Sequence, residues 1–276
     1  MLASLPPKTE SRRLRFLEVG AGIGTMIERL LEGSVLGQDG YIALESEGAH
    51  RELAAQRLRA RAEAHGDSWS RLGDDRWRLE GPSLGVEVEW RSASLFEAAL
   101  SLPPIDVVLA HAFLDLVDLD RALPRLLAWL RPGGLFYFTL NFDGLTAFLP
   151  EIDADLDAAV VREYHASMDA RRDGEHPSGD RRTGRRLLTE LRRRGSTLLA
   201  AGSSDWIVLP HDGAYPGDEA FVLHTLLDMV ESSVRRRAAI DSRRLSEWIE
   251  ARRRQVGAGD LVFLAHQIDV VGRAPG

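Results

Sequence analysis

Three glycines at alternate positions, Gly20, Gly22 and Gly24, form the segment of this chain best suited to binding a ligand. They follow the short, mainly apolar segment 16–19, which has the length of a buried strand, and precede residues 26–31, whose apolar side chains recur at helical spacing. Glycine permits the positive φ of a sharp turn and lets a ligand approach the backbone, because it has no Cβ. The following helix presents unpaired N–H groups at its first turn. The segment therefore predicts a strand, a glycine loop and a helix around a ligand site.

The spacing of these glycines narrows the choice of ligand. A dinucleotide loop has the form G-x-G-x-x-G, which would need a glycine where this chain has Thr25. The chain has E-x-G-x-G-x-G instead, and here it resembles the class I S-adenosylmethionine (SAM)-dependent methyltransferases, whose first motif has this form. On this segment alone, a tight strand-to-helix connection in another α/β protein is the alternative. The resemblance implies SAM as the cofactor and a cofactor-binding role for Glu18, Gly20, Ala21, Gly22 and Gly24.

An acidic residue, Glu45, follows the next predicted strand, residues 41–44, about 20 residues beyond the glycine loop. In α/β folds that bind nucleosides, a carboxylate at this place accepts hydrogen bonds from both ribose hydroxyls. Glu45 fits that role, the resemblance implies the same role, and Ser46 beside it is expected at the same site. The alternative is that Glu45 and Glu47 begin the next helix, where the helix dipole favours acidic residues.

The period-two alternation of segments 76–80 and 86–90 predicts a hairpin, whose second arm is the third core strand. In the methyltransferase family, an acidic residue and a small residue after this strand hold the adenine. The corresponding residues here are Ser92 and Ala93. Because serine replaces the acid, the contact to the adenine amino group is left to a backbone carbonyl or to Ser94.

Two later segments strengthen the resemblance. Residues 105–109 form an apolar strand with Asp106 near its start, which resembles the D-x-V segment of the family. The sequence Arg-Pro-Gly-Gly at 131–134 ends a predicted helix before an apolar strand, as it does in these methyltransferases. The resemblance implies that Ala110 and His111, at the end of the fourth strand, also lie at the cofactor site.

The pattern of elements predicts a single α/β domain over 1–276. Its fold is expected to be Rossmann-like and doubly wound, with a mostly parallel seven-stranded sheet and an inserted helical cap. The core is predicted over 14–140 and 196–273, and the cap over about 144–195 and 212–255. Cap helices are predicted over 152–168, 183–194, 221–234 and 245–254. Loops are predicted over 66–75 and 169–182, the sixth strand over 196–201 or 206–209, and the last strand over 260–271.

Methyl transfer to a hydroxyl or ammonium group requires the loss of a proton, and histidine is the side chain best suited to accept it near neutral pH. His111 is the first candidate for this base, because ligands of open α/β sheets bind at the carboxyl ends of the strands. Tyr164, a predicted catalytic residue, and His165 lie on a cap helix and are second candidates. The alternative for His111 is a residue that only shapes the methionine end of the cofactor pocket.

Composition excludes several classes of function. The chain has no cysteine, so disulfides and thiolate chemistry are excluded, and its eight histidines lack the spacing of a metal site. The net charge of -7 and the few aromatic residues near the arginine clusters argue against a nucleic acid as partner or substrate. Residues 1–10 lack the features of a signal peptide, and no apolar run could span a membrane, so a cytoplasmic protein is expected.

The sequence therefore predicts a SAM-dependent methyltransferase that acts on an O, N or C atom of a small molecule. A methyltransferase of RNA and a SAM-binding protein without catalytic activity are the alternatives. The oligomeric state is left open by the sequence.

Overall fold

The computed structural model describes residues 13–97 and 101–276, so the prediction made for residues 1–10 lies outside the described residues. The strands are β1 (Arg15–Val19), β2 (Gly40–Glu45), β3 (Ser68–Gly73), β4 (Arg76–Gly81), β5 (Leu84–Ser92), β6 (Ile105–His111), β7 (Leu130–Leu149), β8 (Arg172–Asp173), β9 (His176–Pro177), β10 (Thr197–Ser203), β11 (Trp206–Val208) and β12 (Val262–Arg273). The helices are α1 (Thr25–Glu32), α2 (Ala49–His65), α3 (Leu119–Trp129), α4 (Ala154–Asp169), α5 (Thr183–Arg193), α6 (Glu219–Arg237) and α7 (Ser242–Gly257).

The central sheet has the order β10-β12-β7-β6-β1-β2-β5-β4-β3, and β11 also pairs with β12. Strands β5, β2, β1, β6 and β7 are parallel, which brings the carboxyl ends of β1, β2, β5 and β6 to one edge. Strand β12 runs antiparallel to β7, and β10 and β11 run antiparallel to β12. The predicted α/β, Rossmann-like fold is confirmed, and its parallel centre is the part of the sheet that positions the candidate site.

The described part of the sheet has ten strands, whereas seven were predicted. The hairpin over 76–90 is present as β4 and β5, but it gains a third arm, β3, in the segment predicted as a loop. Both segments proposed for the sixth strand form strands, β10 and β11. The pattern of β3 is not visible in the sequence, because most of its side chains are exposed and it lies at the edge of the sheet.

Strand β7 continues far beyond the predicted strand and pairs with β12 as far as Leu149 opposite Val262. The cap boundary predicted at 144 is therefore wrong by several residues, since the cap begins after Leu149. The sequence Asp143-Gly144 resembles a turn, which explains the early boundary. Gly144 has φ of 80°, and the register between β7 and β12 shifts at this place, so β7 accommodates these residues as an irregularity rather than ending there.

Three apolar cores organise the molecule. One lies between the sheet and helices α1 and α2, and a second lies on the opposite face of the sheet beneath α3 and α5. The third joins the extended ends of β7 and β12 to α4, α6 and α7. Three of the four predicted cap helices, α4, α6 and α7, thus pack on the sheet through a core of their own, whereas α5, also predicted in the cap, packs with α3 on the face of the sheet. None of the helices in the described part of the chain is both long and apolar enough to span a lipid bilayer.

Candidate functional site

The glycine loop links the end of β1 to α1, as predicted. Gly20, Gly22 and Gly24 all have positive φ, of 67°, 53° and 82°. The N–H groups of Gly20 and Ala21 donate to the carbonyl oxygen of Leu44 at the end of β2, with distances of 2.9 and 3.3 Å. Because glycine adopts these dihedrals without strain, the local sequence accounts for the sharp turn and for the contact between the two strand ends.

The loop glycines differ in what surrounds them. A Cβ at Gly20 would lie 2.3 Å from Cδ2 of Phe113, so Gly20 is required for packing within the protein. A Cβ at Gly24 would lie 3.3 Å from Cβ of Ala54, in a tight contact with α2. A Cβ at Gly22 would meet no atom within 4 Å. Gly22 is therefore the loop position at which the backbone faces open space.

Glu45 is the last residue of β2, and its carboxylate is held against the glycine loop. Its Oε2 accepts a hydrogen bond from the N–H of Gly22 and its Oε1 accepts one from the N–H of Glu47, both at 2.8 Å. Helix α2 begins at Ala49, so neither Glu45 nor Glu47 belongs to its first turn. The carboxylate of Glu45 is thus fixed at the edge of the sheet and not at the start of a helix. The alternative role applies to Glu47, whose Oε1 accepts a hydrogen bond of 3.4 Å from the N–H of Ala49, the first residue of α2.

A cavity of about 360 Å³ lies beside this carboxylate, and we call it the Glu45 cavity. Ser46 and Ala93 line it together with Glu45, and the N–H of Ala93 donates to the carbonyl oxygen of Glu45 at 3.1 Å. Ser94, the alternative contact to the adenine, lines it as well. Ser92 pairs with Glu45 in the sheet but does not line the cavity, since the alternation of the strand turns its side chain elsewhere.

A second cavity, of about 510 Å³, lies on the other side of Gly20, and we call it the His111 cavity. The predicted site residues that line it are Glu18, Gly20, Ala21, Gly22 and His111. Gly20 lines both cavities, so the two are neighbours along the edge of the sheet. Gly24 and Ala110 line neither, and Ala110 is fully buried in the core beneath α3.

Glu18 carries a buried carboxyl group in the wall of the His111 cavity. The hydroxyl of Tyr41 donates a hydrogen bond of 2.7 Å to its Oε2. Burial, opposed by the Tyr41 hydrogen bond and helped by the negative charge of Glu45, raises the pKa of Glu18 from 4.5 to about 8. Glu18 is therefore mainly protonated at neutral pH in the absence of a cation.

His111 is held by a hydrogen bond of 2.5 Å between its Nδ1 and Oγ1 of Thr139. Its ring packs edge-on against Tyr137, with ring centroids 5.6 Å apart. Burial, together with the positive charge of Arg29, lowers the pKa of His111 from 6.5 to about 4. The imidazole is therefore neutral at physiological pH, and its Nε2 is buried without a partner in the described part of the chain. Its Nε2 can donate or accept a hydrogen bond with a ligand, according to the tautomer, but the ring is a weak proton acceptor.

Tyr164, on α4, lies in a third cavity of about 430 Å³, which we call the Tyr164 cavity. Burial raises the pKa of Tyr164, so its hydroxyl stays protonated. The neighbouring His165 lies outside this cavity, and its Nε2 is 2.9 Å from Oγ1 of Thr146. His111 and Tyr164 thus line separate cavities, although Ala112 and Leu116 line both the Tyr164 and the Glu45 cavities.

Sequence reasoning missed several residues at these cavities. Phe113 packs over Gly20, and Asp115 lines the Tyr164 cavity. Both follow β6 at the carboxyl edge of the sheet, which is a signal that could have identified them. Asp173 lines the Glu45 cavity from the β8–β9 hairpin, which lies within the segment predicted as a polar loop. No sequence signal places that residue, because the hairpin reaches the sheet from the cap.

The comparisons with known proteins agree on the fold. No protein-family model and no curated protein matches the sequence. The structure is similar to a proposed methyltransferase from Bacillus halodurans, with 14% identity, a TM-score of 0.51, and coverage of 96% of this chain and 94% of that one. It is similar to a SAM-dependent methyltransferase from Methanosarcina mazei, with 11% identity, a TM-score of 0.51 and coverage of 95% and 93%.

A third similar structure, a proposed type II methyltransferase from Anaeromyxobacter dehalogenans, has 21% identity, a TM-score of 0.50 and coverage of 96% and 92%. The chain therefore has the fold of the class I, Rossmann-like methyltransferases over nearly its whole length. The fold resemblance found in the sequence motifs is confirmed.

Proposed function

We propose that the chain binds SAM across the Glu45 and His111 cavities and is a methyltransferase for a small-molecule acceptor. The observation that carries this proposal is the pairing of Gly22, whose backbone faces open space, with Glu45, whose carboxylate is fixed beside it. The two cavities meet at Gly20, so a ligand with a nucleoside at one end and an amino-acid group at the other fits the edge of the sheet.

Each end of this site has side chains suited to one part of SAM. We assign Glu45 to the ribose hydroxyls and Ser46 and Ala93 to the neighbourhood of the adenine. At the other end, Glu18 binds the α-ammonium group of SAM, and the neutral imidazole of His111 shapes the pocket around the methionine part. Bound SAM supplies an electrophilic methyl group, and its transfer forms a bond to the acceptor atom as the carbon–sulfur bond breaks.

The protein's contribution to such a reaction is mainly positional. Holding an acceptor in line with the methyl group in a closed pocket provides effective molarities of about 10⁵ M or more. The Tyr164 cavity, which shares walls with the Glu45 cavity and lies between the sheet and the cap, is the place for that acceptor. A cavity of about 430 Å³ has the size of a small-molecule site and favours a small molecule over a polymer.

The experiment that tests cofactor binding is calorimetry with S-adenosylhomocysteine, SAM and NAD. We expect NAD to bind at least tenfold more weakly than the first two. Replacing Glu45 by alanine should lower the affinity for S-adenosylhomocysteine by tenfold or more, because each lost hydrogen bond to a charged group costs about 1.5 to 3 kcal/mol. Glu47→Ala is the matched control, since Glu47 lies two residues away and does not line the cavity. Equal affinities for Glu45→Ala and Glu47→Ala would remove Glu45 from the site.

Substitution of His111 separates its two possible roles. Because its pKa is about 4 and its cavity is distinct from that of Tyr164, we expect His111→Gln to keep kcat within about tenfold and to raise KM for SAM. Steady-state kinetics with an identified acceptor measure both. A loss in kcat of about 10²-fold, together with loss of an acidic limb near pH 4, would instead identify His111 as the general base.

Limited proteolysis tests whether the cap responds to the cofactor. Asp173 of the β8–β9 hairpin lines the Glu45 cavity, so a ligand there should restrain the exposed segment 169–182. We expect S-adenosylhomocysteine to slow tryptic cleavage in this segment at least threefold. Cleavage near residues 236–241, between α6 and α7, provides an internal control. Equal slowing at both places, or at neither, would mean that the hairpin does not close over the cofactor.

A further inference from the structure

The Tyr164 cavity has a composition that points to the chemistry of its ligand. Most of its walls are apolar side chains from the sheet and from α4 and α6: Phe142, Tyr164, Met168, Trp206, Phe221, Val222, Leu226, Met229, Phe263 and Ala265. At its outer end, Phe221 is 73% exposed and Met229 is 53% exposed, which is unusual for large apolar side chains on one helix. The cavity and its mouth therefore suit a ligand with a hydrocarbon part.

The inner end of the same cavity contains a carboxylate, that of Asp115, which the backbone N–H groups of Asp115 and Phe142 and the charge of Arg171 compensate only in part. Asp115 lines the cavity, and within the described part of the chain its buried Oδ1 has no hydrogen-bond partner. Gln267 also lines the cavity, and its side-chain Oε1 is likewise buried and unpartnered. A buried carboxylate oxygen that accepts no hydrogen bond is costly, so the site is incomplete without a donor.

The positions of these groups indicate which end of the ligand they would meet. Asp115 and Leu116 belong to the short 3-10 helix Leu114–Leu116 that follows β6. Leu116 lines both the Tyr164 cavity and the Glu45 cavity, so the carboxylate lies at the end of the acceptor cavity nearest the proposed cofactor site. The exposed side chains of α6 lie at the mouth.

The cationic group that acts on this carboxylate is Arg171, whose charge also acts on Tyr164. Arg171 also lines the cavity, but it is exposed and forms no ion pair with Asp115 in the described part of the chain. An exposed guanidinium is well solvated and gains little from a ligand anion, whereas the buried oxygen of Asp115 gains much from a ligand donor.

We propose that the Tyr164 cavity binds an amine with a hydrocarbon substituent, with its nitrogen at Asp115 and its apolar part along the walls toward Phe221. The assignment of this amine as the methyl acceptor rests on the proposed function. In that role, the ammonium form gives its proton to the Asp115 carboxylate, which leaves the nitrogen lone pair free for the methyl group. Gln267, whose amide can donate or accept, completes the contacts of the nitrogen.

Calorimetry on the full chain tests the charge preference directly with n-hexylamine, hexanoate and 1-hexanol, each with and without saturating S-adenosylhomocysteine. We expect hexylamine to bind at least tenfold more tightly than the other two. Octylamine should bind more tightly than hexylamine, by about fourfold for each added methylene, if the chain lies along the apolar walls. Tighter binding of hexanoate would assign the head group to Arg171, and equal binding of all three would show that no charge is recognised; either result overturns the proposal.

A variant then locates the recognition at one residue. Asp115→Asn should reduce the preference for hexylamine over hexanol to less than threefold, while Asp74→Asn, the same charge change in the exposed β3–β4 turn, should leave it unchanged. Thermal melting checks that both variants fold. If Asp115→Asn does not fold, the comparison of hexylamine, hexanoate and hexanol on the unaltered chain still tests whether the cavity prefers an amine. If the amine binds but S-adenosylhomocysteine does not, the proposed function is contradicted and the amine site is not. If S-adenosylhomocysteine binds but the amine does not, only the amine site is contradicted.

Discussion

Gly22→Val is expected to weaken the binding of S-adenosylhomocysteine by at least about 100-fold, because the backbone at Gly22 is where the cofactor is proposed to approach most closely. A Cβ at this position points into space that no protein atom occupies within 4 Å, so its branched side chain would occupy the place proposed for the cofactor. The change also places a β-branched residue at φ of 53°, a conformation that costs about 1 to 3 kcal/mol. Calorimetry measures the affinity, and thermal melting measures the stability.

The backbone strain has a matched control in Gly66, at the end of α2. Gly66 has φ of 73°, and a Cβ there would also meet no atom within 4 Å, but it lies in neither proposed cofactor cavity. Gly66→Val should therefore lose a similar amount of stability and keep its affinity for S-adenosylhomocysteine. If Gly22→Val unfolds while Gly66→Val stays folded, Gly22 is required for folding, and the proposed contact between Gly22 and the cofactor loses its support. If both fold and bind alike, the loop does not contact the cofactor.

The parts of the fold that the sequence predicts well are those whose conformation is determined locally. The positive φ angles of Gly20, Gly22 and Gly24 follow from residue type, and Glu45 lies at the site because it ends a strand beside them. Strand β3 and the end of β7 could not be predicted in the same way. Strand β3 pairs with its sequence neighbour β4, but it is an exposed edge strand without an apolar alternation. The end of β7 depends on pairing with the distant strand β12, and it passes through Asp143-Gly144, which taken alone predicts a turn.

The candidate site was predicted less completely than the fold. Neighbouring residues of a strand point to opposite faces, so His111 faces one cavity while Ala110 is buried beneath α3. Whether Tyr164 and His111 share a cavity depends on how α4 packs on the sheet, which no local pattern states. The sequence places both residues near the same edge, and the packing of the cap separates them.

Glu18 should make the stability of the ligand-free protein fall as the pH rises. A carboxyl group whose pKa is raised from 4.5 to about 8 binds its proton more tightly in the folded state than in the unfolded state. Its contribution to stability is therefore fully present below about pH 4.5 and is lost as the pH rises toward 8. At about 1.4 kcal/mol for each pKa unit, the loss between pH 5 and pH 8 is about 3 kcal/mol.

Glu18→Gln isolates this contribution, because glutamine cannot ionise and its side-chain oxygen can still accept the hydrogen bond from Tyr41. From pH 5 to pH 8, we expect the free energy of unfolding of the wild type to fall by about 3 kcal/mol relative to that of Glu18→Gln. Denaturant unfolding at several pH values measures it. Glu32→Gln, a change at an exposed glutamate of α1, should show no such trend. A constant difference for Glu18→Gln would mean that Glu18 is ionised in the folded protein.

The same carboxyl group should report on cofactor binding through its proton. If the α-ammonium group of S-adenosylhomocysteine lies in the His111 cavity, its positive charge lowers the pKa of Glu18, and binding at pH 7 should release nearly one proton. His111, with a pKa of about 4, is already neutral at this pH and releases none. Calorimetry in buffers of different ionisation enthalpy counts the protons, and Glu18→Gln should abolish the release. Tight binding by the wild type with no proton release would place the ammonium group away from Glu18.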